Sequence, residues 1–240
     1  MIPPPARGIK NLKKFIPEPR TPEPKDAAID RELQKETAWP SDKGAMKIMS
    51  FCRPSQIRTL RFDREFGRHA QYKSLYTRKE SLEAISAQPG ANVVLAVAGE
   101  DHIIGFGVLA FPPVSERWAE LGPGVMMEVK AVEVCRSWRS SKVAHGIVGS
   151  LLDFPQIEDR IAYMVGYSWT WDLDGTGMTG SDYRRMLIRL FEPFGFQEFQ
   201  TNEPNLCLKP ENLFMGRIGA NVSEKTQKDF KWLRFGISPS

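Results

Sequence analysis

Cysteine is scarce in this 240-residue chain: Cys52, Cys135 and Cys207 are too few and too scattered for a disulfide framework or a zinc site. Long apolar runs are missing too. None approaches the roughly 18 residues that a membrane-spanning helix needs, and Met1-Ile2-Pro3-Pro4-Pro5 contains no apolar secretory core. The expectation is a cytoplasmic protein without a membrane partner or a metal site. Charge of one sign is also lacking. Lys and Arg total 33 against 29 Asp and Glu, a net +4, and both signs are interspersed, which argues against a nucleic-acid partner. No internal repeat is present.

What is there divides into two parts. Residues 1–44 hold eight of the 18 prolines, mixed with Lys and Glu and with few large apolar residues. Such a segment buries too little surface to offset its ordering entropy, so it reads as a flexible arm. From residue 45 to 236 the pattern is globular. Residues 46–51 alternate like a strand, and residues 63–88 are charged and helical up to Pro89-Gly90. Val93–Ala98 and Ile103–Leu109 flank a short turn-rich link, which predicts a β-hairpin with His102 at its tip. Val125–Val134 is the next strand. From Lys142 onward, Val143, Ile147, Val148, Leu151 and Leu152 make one apolar helical stripe. Ile161–Tyr167 reads as a strand, Ser181–Phe191 as a helix, Phe196–Phe199 and Leu213–Ile218 as strands, and Ser223–Phe235 as a capped helix. The fold class is α/β (α+β), with a central strand-helix-strand unit.

The junction Val132-Glu133-Val134-Cys135-Arg136-Ser137-Trp138-Arg139-Ser140-Ser141-Lys142-Val143-Ala144 carries a strand through a basic, hydroxylated loop into that amphipathic helix. Free backbone N–H groups and the dipole at a helix start favour a phosphate, and Arg136, Arg139 and Lys142 add positive charge. An ordinary capped helix with a basic approach loop is the alternative, and the residues alone leave both readings open.

Arg139-x-x-Lys142-x-Ala144 resembles the Arg/Gln-x-x-Gly-x-Gly/Ala acetyl-CoA motif of the GCN5-related N-acetyltransferase (GNAT) superfamily, with lysine at the middle glycine. Phe191-Glu192-Pro193-Phe194-Gly195-Phe196 is similar to the aromatic-x-x-x-Gly-Phe signature of the same superfamily. The resemblance narrows to the AcuA family of acetoin utilisation proteins over about residues 90–236. It is carried by Ser115-Glu116-Arg117-Trp118, Ala131-Val132-Glu133-Val134, Trp169-x-Trp171-Asp172-Leu173, Asn202-Glu203-Pro204, Arg217-Ile218-Gly219-x-Asn221-Val222-Ser223 and Leu233-Arg234-Phe235. It implies a GNAT-like fold, a mixed central sheet whose fourth and fifth strands splay to admit acetyl-CoA. The implied cofactor-binding residues are Val132, Val134, Arg139, Ser140, Ser141, Lys142, Val143 and Ala144. The implied reaction is acetyl transfer to a protein lysine, with acetyl-CoA synthetase as the partner that it inactivates.

Transfer to an amine needs a base. Glu128 matches the general-base glutamate of the histone acetyltransferase branch, six residues before Val134, and Glu133 is the reserve candidate. Strict strand alternation sets Glu128 with Met126, Lys130, Val132 and Val134, and Glu133 on the opposite face with Met127, Val129 and Ala131. A structural ion pair of Glu128 with Lys130 is the alternative. Phe191 stands where many GNAT enzymes have a proton-donating tyrosine, and Tyr183 lies two helical turns earlier, so no acid is assigned.

Two other functions compete. Gly175-Thr176-Gly177-Met178-Thr179-Gly180 satisfies the glycine pattern of a dinucleotide-binding loop, but a polar stretch separates it from the preceding strand. A silent acyl-CoA-binding sensor is the other, suggested by Lys142 and Phe191 at positions where active relatives have glycine and tyrosine.

Overall fold

The computed structural model describes residues 32–68, 77–139 and 141–238. Most of the proline-rich arm, residues 1–31, lies outside the described residues, as does Ser140. Among the described residues nine strands form one sheet. They are β1 (Glu36–Trp39), β2 (Met46–Met49), β3 (Arg61–Phe62), β4 (Asn92–Ala98), β5 (His102–Ala110), β6 (Met126–Val134), β7 (Ile161–Gly166), β8 (Gln197–Glu198) and β9 (Leu213–Ile218). The main order is β1-β2-β4-β5-β6-β7-β9-β8, with β3 against β5. β1 pairs with β2 although it lies before position 45, inside the segment that composition assigns to the arm.

Helices cover both faces. α1 (Pro54–Thr59) precedes the stretch expected to be helical, and within residues 63–88 α2 (Glu65–Arg68) and α3 (Lys79–Ser86) stand in place of one charged helix, with residues 69–76 outside the described set. α4 (Val143–Leu152) is the helix of the apolar stripe, and it buries Val143, Ile147, Val148 and Leu151. It packs on β2, β4, β5 and β6. The close approach requires Gly107, since a Cβ there would lie 2.5 Å from Ile147 Cγ2. The remaining helices are α5 (Leu173–Thr176), α6 (Gly180–Phe191), α7 (Pro204–Cys207) and α8 (Glu224–Leu233). α6 is capped by Thr179 and α8 by Ser223, each accepting a backbone N–H three residues on.

The hairpin β4–β5 forms as its two apolar runs predict and is buried on both faces. Its far side meets β6 antiparallel, and β6 meets β7 parallel across the α4 crossover. That parallel pairing covers only Met126–Val129 against Ile161–Met164. Beyond Val129 the two strands part, and this opening positions the site.

Candidate functional site

A β-bulge decides which side chains face the opening. Val108 lies opposite Ala131 and Leu109 opposite Val129, so Lys130 is an extra residue in β6. The bulge reverses the alternation beyond it. Met127 and Val129 point into the core under α4, and so do Val132 and Val134, while Met126 and Ala131 pack elsewhere. The opposite-face placement of Glu128 and Glu133 is therefore corrected: both line one cavity.

That cavity has a volume of about 880 Å³. Four carboxylates line it, Glu116, Glu128, Glu133 and Glu203, with Trp118, Tyr167, Trp169 and Trp171 as aromatic walls. Arg117 and Lys130 are its cations. A second cavity, about 370 Å³, lies toward α4 and α6 and is lined by Val132, Val134, Arg139, Lys142, Val143 and Ala144. Tyr183, Leu187 and Phe191 of α6 close its other side. The two cavities share Lys130, Ala131, Glu133, Val165, Thr170 and Trp171. Glu133 stands at that seam.

The two glutamates differ in chemistry. Glu128 forms an ion pair with Lys130, and both side chains are largely shielded from solvent. Glu133 is partly buried, and burial raises its pKa to about 7; nearby Arg139 opposes the rise and Asp172 adds to it. Burial also raises Glu116, with Glu128 adding to the effect and Lys130 opposing it.

Of the basic loop, Arg139 binds Asp172 at 2.7 Å and Arg136 binds it at 2.6 Å. Both guanidinium groups are thus tied to one carboxylate. Lys142 is exposed and caps α4 in the left-handed region, at φ +53°, with no side-chain cap bond. Glycine adopts this backbone conformation at lower cost than lysine. Ser141 offers its carbonyl to Trp39 Nε1 at 3.4 Å, so β1 straps the start of α4.

Tyr183, left without a role by the sequence, and Tyr167, which the sequence does not single out, both line the site. Tyr183 stacks on Trp171, with ring centroids 5.1 Å apart, and burial pushes its phenol up to about 12. Tyr167 stacks on Trp169 at 4.8 Å. A 3₁₀ turn just after β7 leaves Trp169 exposed and Trp171 buried. Their signal was the Trp169-x-Trp171-Asp172 cluster itself. The glycine run does not form a dinucleotide loop on a strand end, since Leu173–Thr176 is a short helix inserted there. Cys135 is fully buried, and burial pushes its thiol well above the usual range, which disqualifies it as a nucleophile.

No family model matches the chain. An acetoin utilization protein AcuA from Bacillus licheniformis is 28% identical over 205 residues, covering 85% of this chain and 93% of the relative. The AcuA of Bacillus subtilis strain 168 is 31% identical over 156 residues, covering 65% of this chain and 74% of the relative. The chain belongs to the AcuA family. Among solved structures, an acetoin utilization protein from Exiguobacterium sibiricum 255-15 superposes with a TM-score of 0.77 at 23% identity, over 85% of this chain and 95% of that one. The mixed sheet flanked by helices, with β6 and β7 parting beyond Val129, is the arrangement that the resemblance implied.

Proposed function

We propose that the chain is an acetyl-CoA-dependent N-acetyltransferase acting on a protein lysine, with acetyl-CoA synthetase as its acceptor. The observation that carries this reading is the position of Glu133, a carboxylate with a pKa near 7 at the seam of two cavities. On one side the smaller cavity runs to the start of α4, where backbone N–H groups and Lys142 suit the diphosphate of acetyl-CoA. Val132 and Val134 edge the same cavity, within reach of the pantetheine arm. Arg139, Ser141, Val143 and Ala144 shape the loop that holds it, and Ser140 belongs to the same binding segment. On the other side, the acidic, aromatic cavity suits an alkylammonium chain, held by carboxylates and indole faces.

Glu133 then removes the proton from the incoming ammonium, directly or through water, as the amine attacks the thioester carbonyl. Its elevated pKa makes it a better base than an ordinary glutamate. Glu128, neutralised by Lys130, supports the acceptor wall rather than taking the proton. Tyr183 stays protonated through the working pH range. At about 12 its proton is held more tightly than that of an ordinary thiol, near 8.5, so it offers the departing thiolate a hydrogen bond rather than a proton.

Intact-mass analysis of acetyl-CoA synthetase after incubation with the chain and acetyl-CoA tests the reading. Gain of one acetyl group with loss of synthetase activity is expected. Tight acetyl-CoA binding without any transfer would favour the sensor instead.

A further inference from the structure

We infer that Asp172 is the positioning residue of this site: its carboxylate latches the loop after β6 to the turn after β7 and decides how much of the Arg139 charge reaches Glu133. The inference rests on the transferase reading only for its catalytic consequence. Its geometry stands independently.

Asp172 is 5% exposed, and both its oxygens are engaged. Oδ1 accepts from Arg136 Nη2 at 2.6 Å and from the Gly175 N–H at 3.0 Å. Oδ2 accepts from Arg136 Nε at 2.9 Å and pairs with Arg139 Nη2 at 2.7 Å. The two arginines follow β6 and the aspartate follows β7, so the latch ties the strands together at the end where they have parted. Gly175 is part of the device. A Cβ at that position would lie 2.2 Å from both Arg136 Nε and Asp172 Oδ2, so only glycine permits the clamp. This accounts for the first glycine of the 175–180 run without any nucleotide.

The charge balance gives the latch its function. Glu133 feels Arg139, which favours its ionised form, and Asp172, which disfavours it. Tyr183 faces it from α6, and Glu128, Lys130, Glu116 and Glu203 share the cavity beside it. With Asp172 in place, Arg139 Nη2 is held by its carboxylate. Without it, the guanidinium turns to Glu133 and stabilises the carboxylate, giving a weaker base.

Carboxyl ¹³C titration of the full, unliganded chain tests this, with Glu133 assigned by the resonance lost in Glu133→Gln. The Glu133 midpoint near 7 moves down by about one pH unit in Asp172→Asn, and up in Arg139→Gln, where Asp172 keeps Arg136. Gly175→Ala, which retains every charge but forces the clamp apart, moves it down by less. The acid limb of the kcat/KM profile follows the same order. A merely structural latch would lower stability in all three variants without opposite shifts. Midpoints that stay with the wild type, or that move the same way in Asp172→Asn and Arg139→Gln, overturn the inference. Should Asp172→Asn not fold, Gly175→Ala and Arg139→Gln decide it through their opposite signs. The titration needs no turnover: shifts as stated with no acetyl transfer by the wild type would sink the transferase reading and leave the latch. Transfer with unmoved midpoints would do the reverse.

Discussion

Glu133 couples stability to pH in a direction opposite to most carboxylates. Its folded-state pKa, about 7, lies above the ordinary 4.5, so the folded protein holds a proton that the unfolded chain has released. Stability from this group is full below about pH 4.5 and is lost as pH rises through about 7, by up to about 3 kcal/mol before solvent screening reduces it. Glu133→Gln removes the penalty. Thermal unfolding at pH 5.5 and 8.5 is expected to show the variant gaining on the wild type at the higher pH, and a gain at the lower pH instead would contradict the assignment. Tyr183→Phe deletes one hydrogen bond to a developing charge. It should lower kcat about 10-fold, on the scale of 1.5 kcal/mol for a charge-assisted bond, with the KM for acetyl-CoA nearly unchanged. A steady-state comparison reads this directly.

At the scale of elements, the strand-helix-strand unit was largely legible. The β4–β5 hairpin follows from its two apolar runs and α4 from its helical stripe, because each buries that apolar surface; β6, β7 and α6 also lie close to their expected bounds. The bulge in β6 was not legible, since it depends on the register of β5 at Val108 and Leu109, a partner-strand property invisible in Met126–Val134. For the same reason, the shared face of Glu128 and Glu133 could not be read from alternation. β1 was hidden because Glu36-Thr37-Ala38-Trp39 is short, exposed and set among prolines, and gains its order from pairing with β2. The Asp172 clamp joins residues 33 and 36 positions apart, which no local pattern records. The left-handed Lys142 yields a prediction of its own. Lys142→Gly should raise stability by about 1 kcal/mol by relieving the backbone while weakening acetyl-CoA binding through loss of the cation. Thermal shift with and without acetyl-CoA separates the two effects.

For the whole molecule, the sheet acts as a wedge. Its two halves are paired firmly up to Val129 and Met164 and then part, so one opening adjoins both cavities, and in the proposed reading the α4 side takes the cofactor and the Glu116 side the acceptor. The acceptor side carries four glutamates against Lys130 and Arg117. Glu116→Gln is accordingly expected to raise the KM for the protein acceptor several-fold and leave that for acetyl-CoA unchanged, the effect shrinking at high salt. Equal changes in both constants would argue against two separate sides. The central claim is that Glu133, not Glu128, takes the proton at the seam. Single-turnover acetyl transfer to acetyl-CoA synthetase at pH 7.5 tests it most directly, with Glu133→Gln and Glu128→Gln compared with the wild type. The account predicts a fall of about 10²–10³-fold for Glu133→Gln and less than about 10-fold for Glu128→Gln. The reverse order, or a Glu133→Gln rate within a few-fold of the wild type, would contradict it.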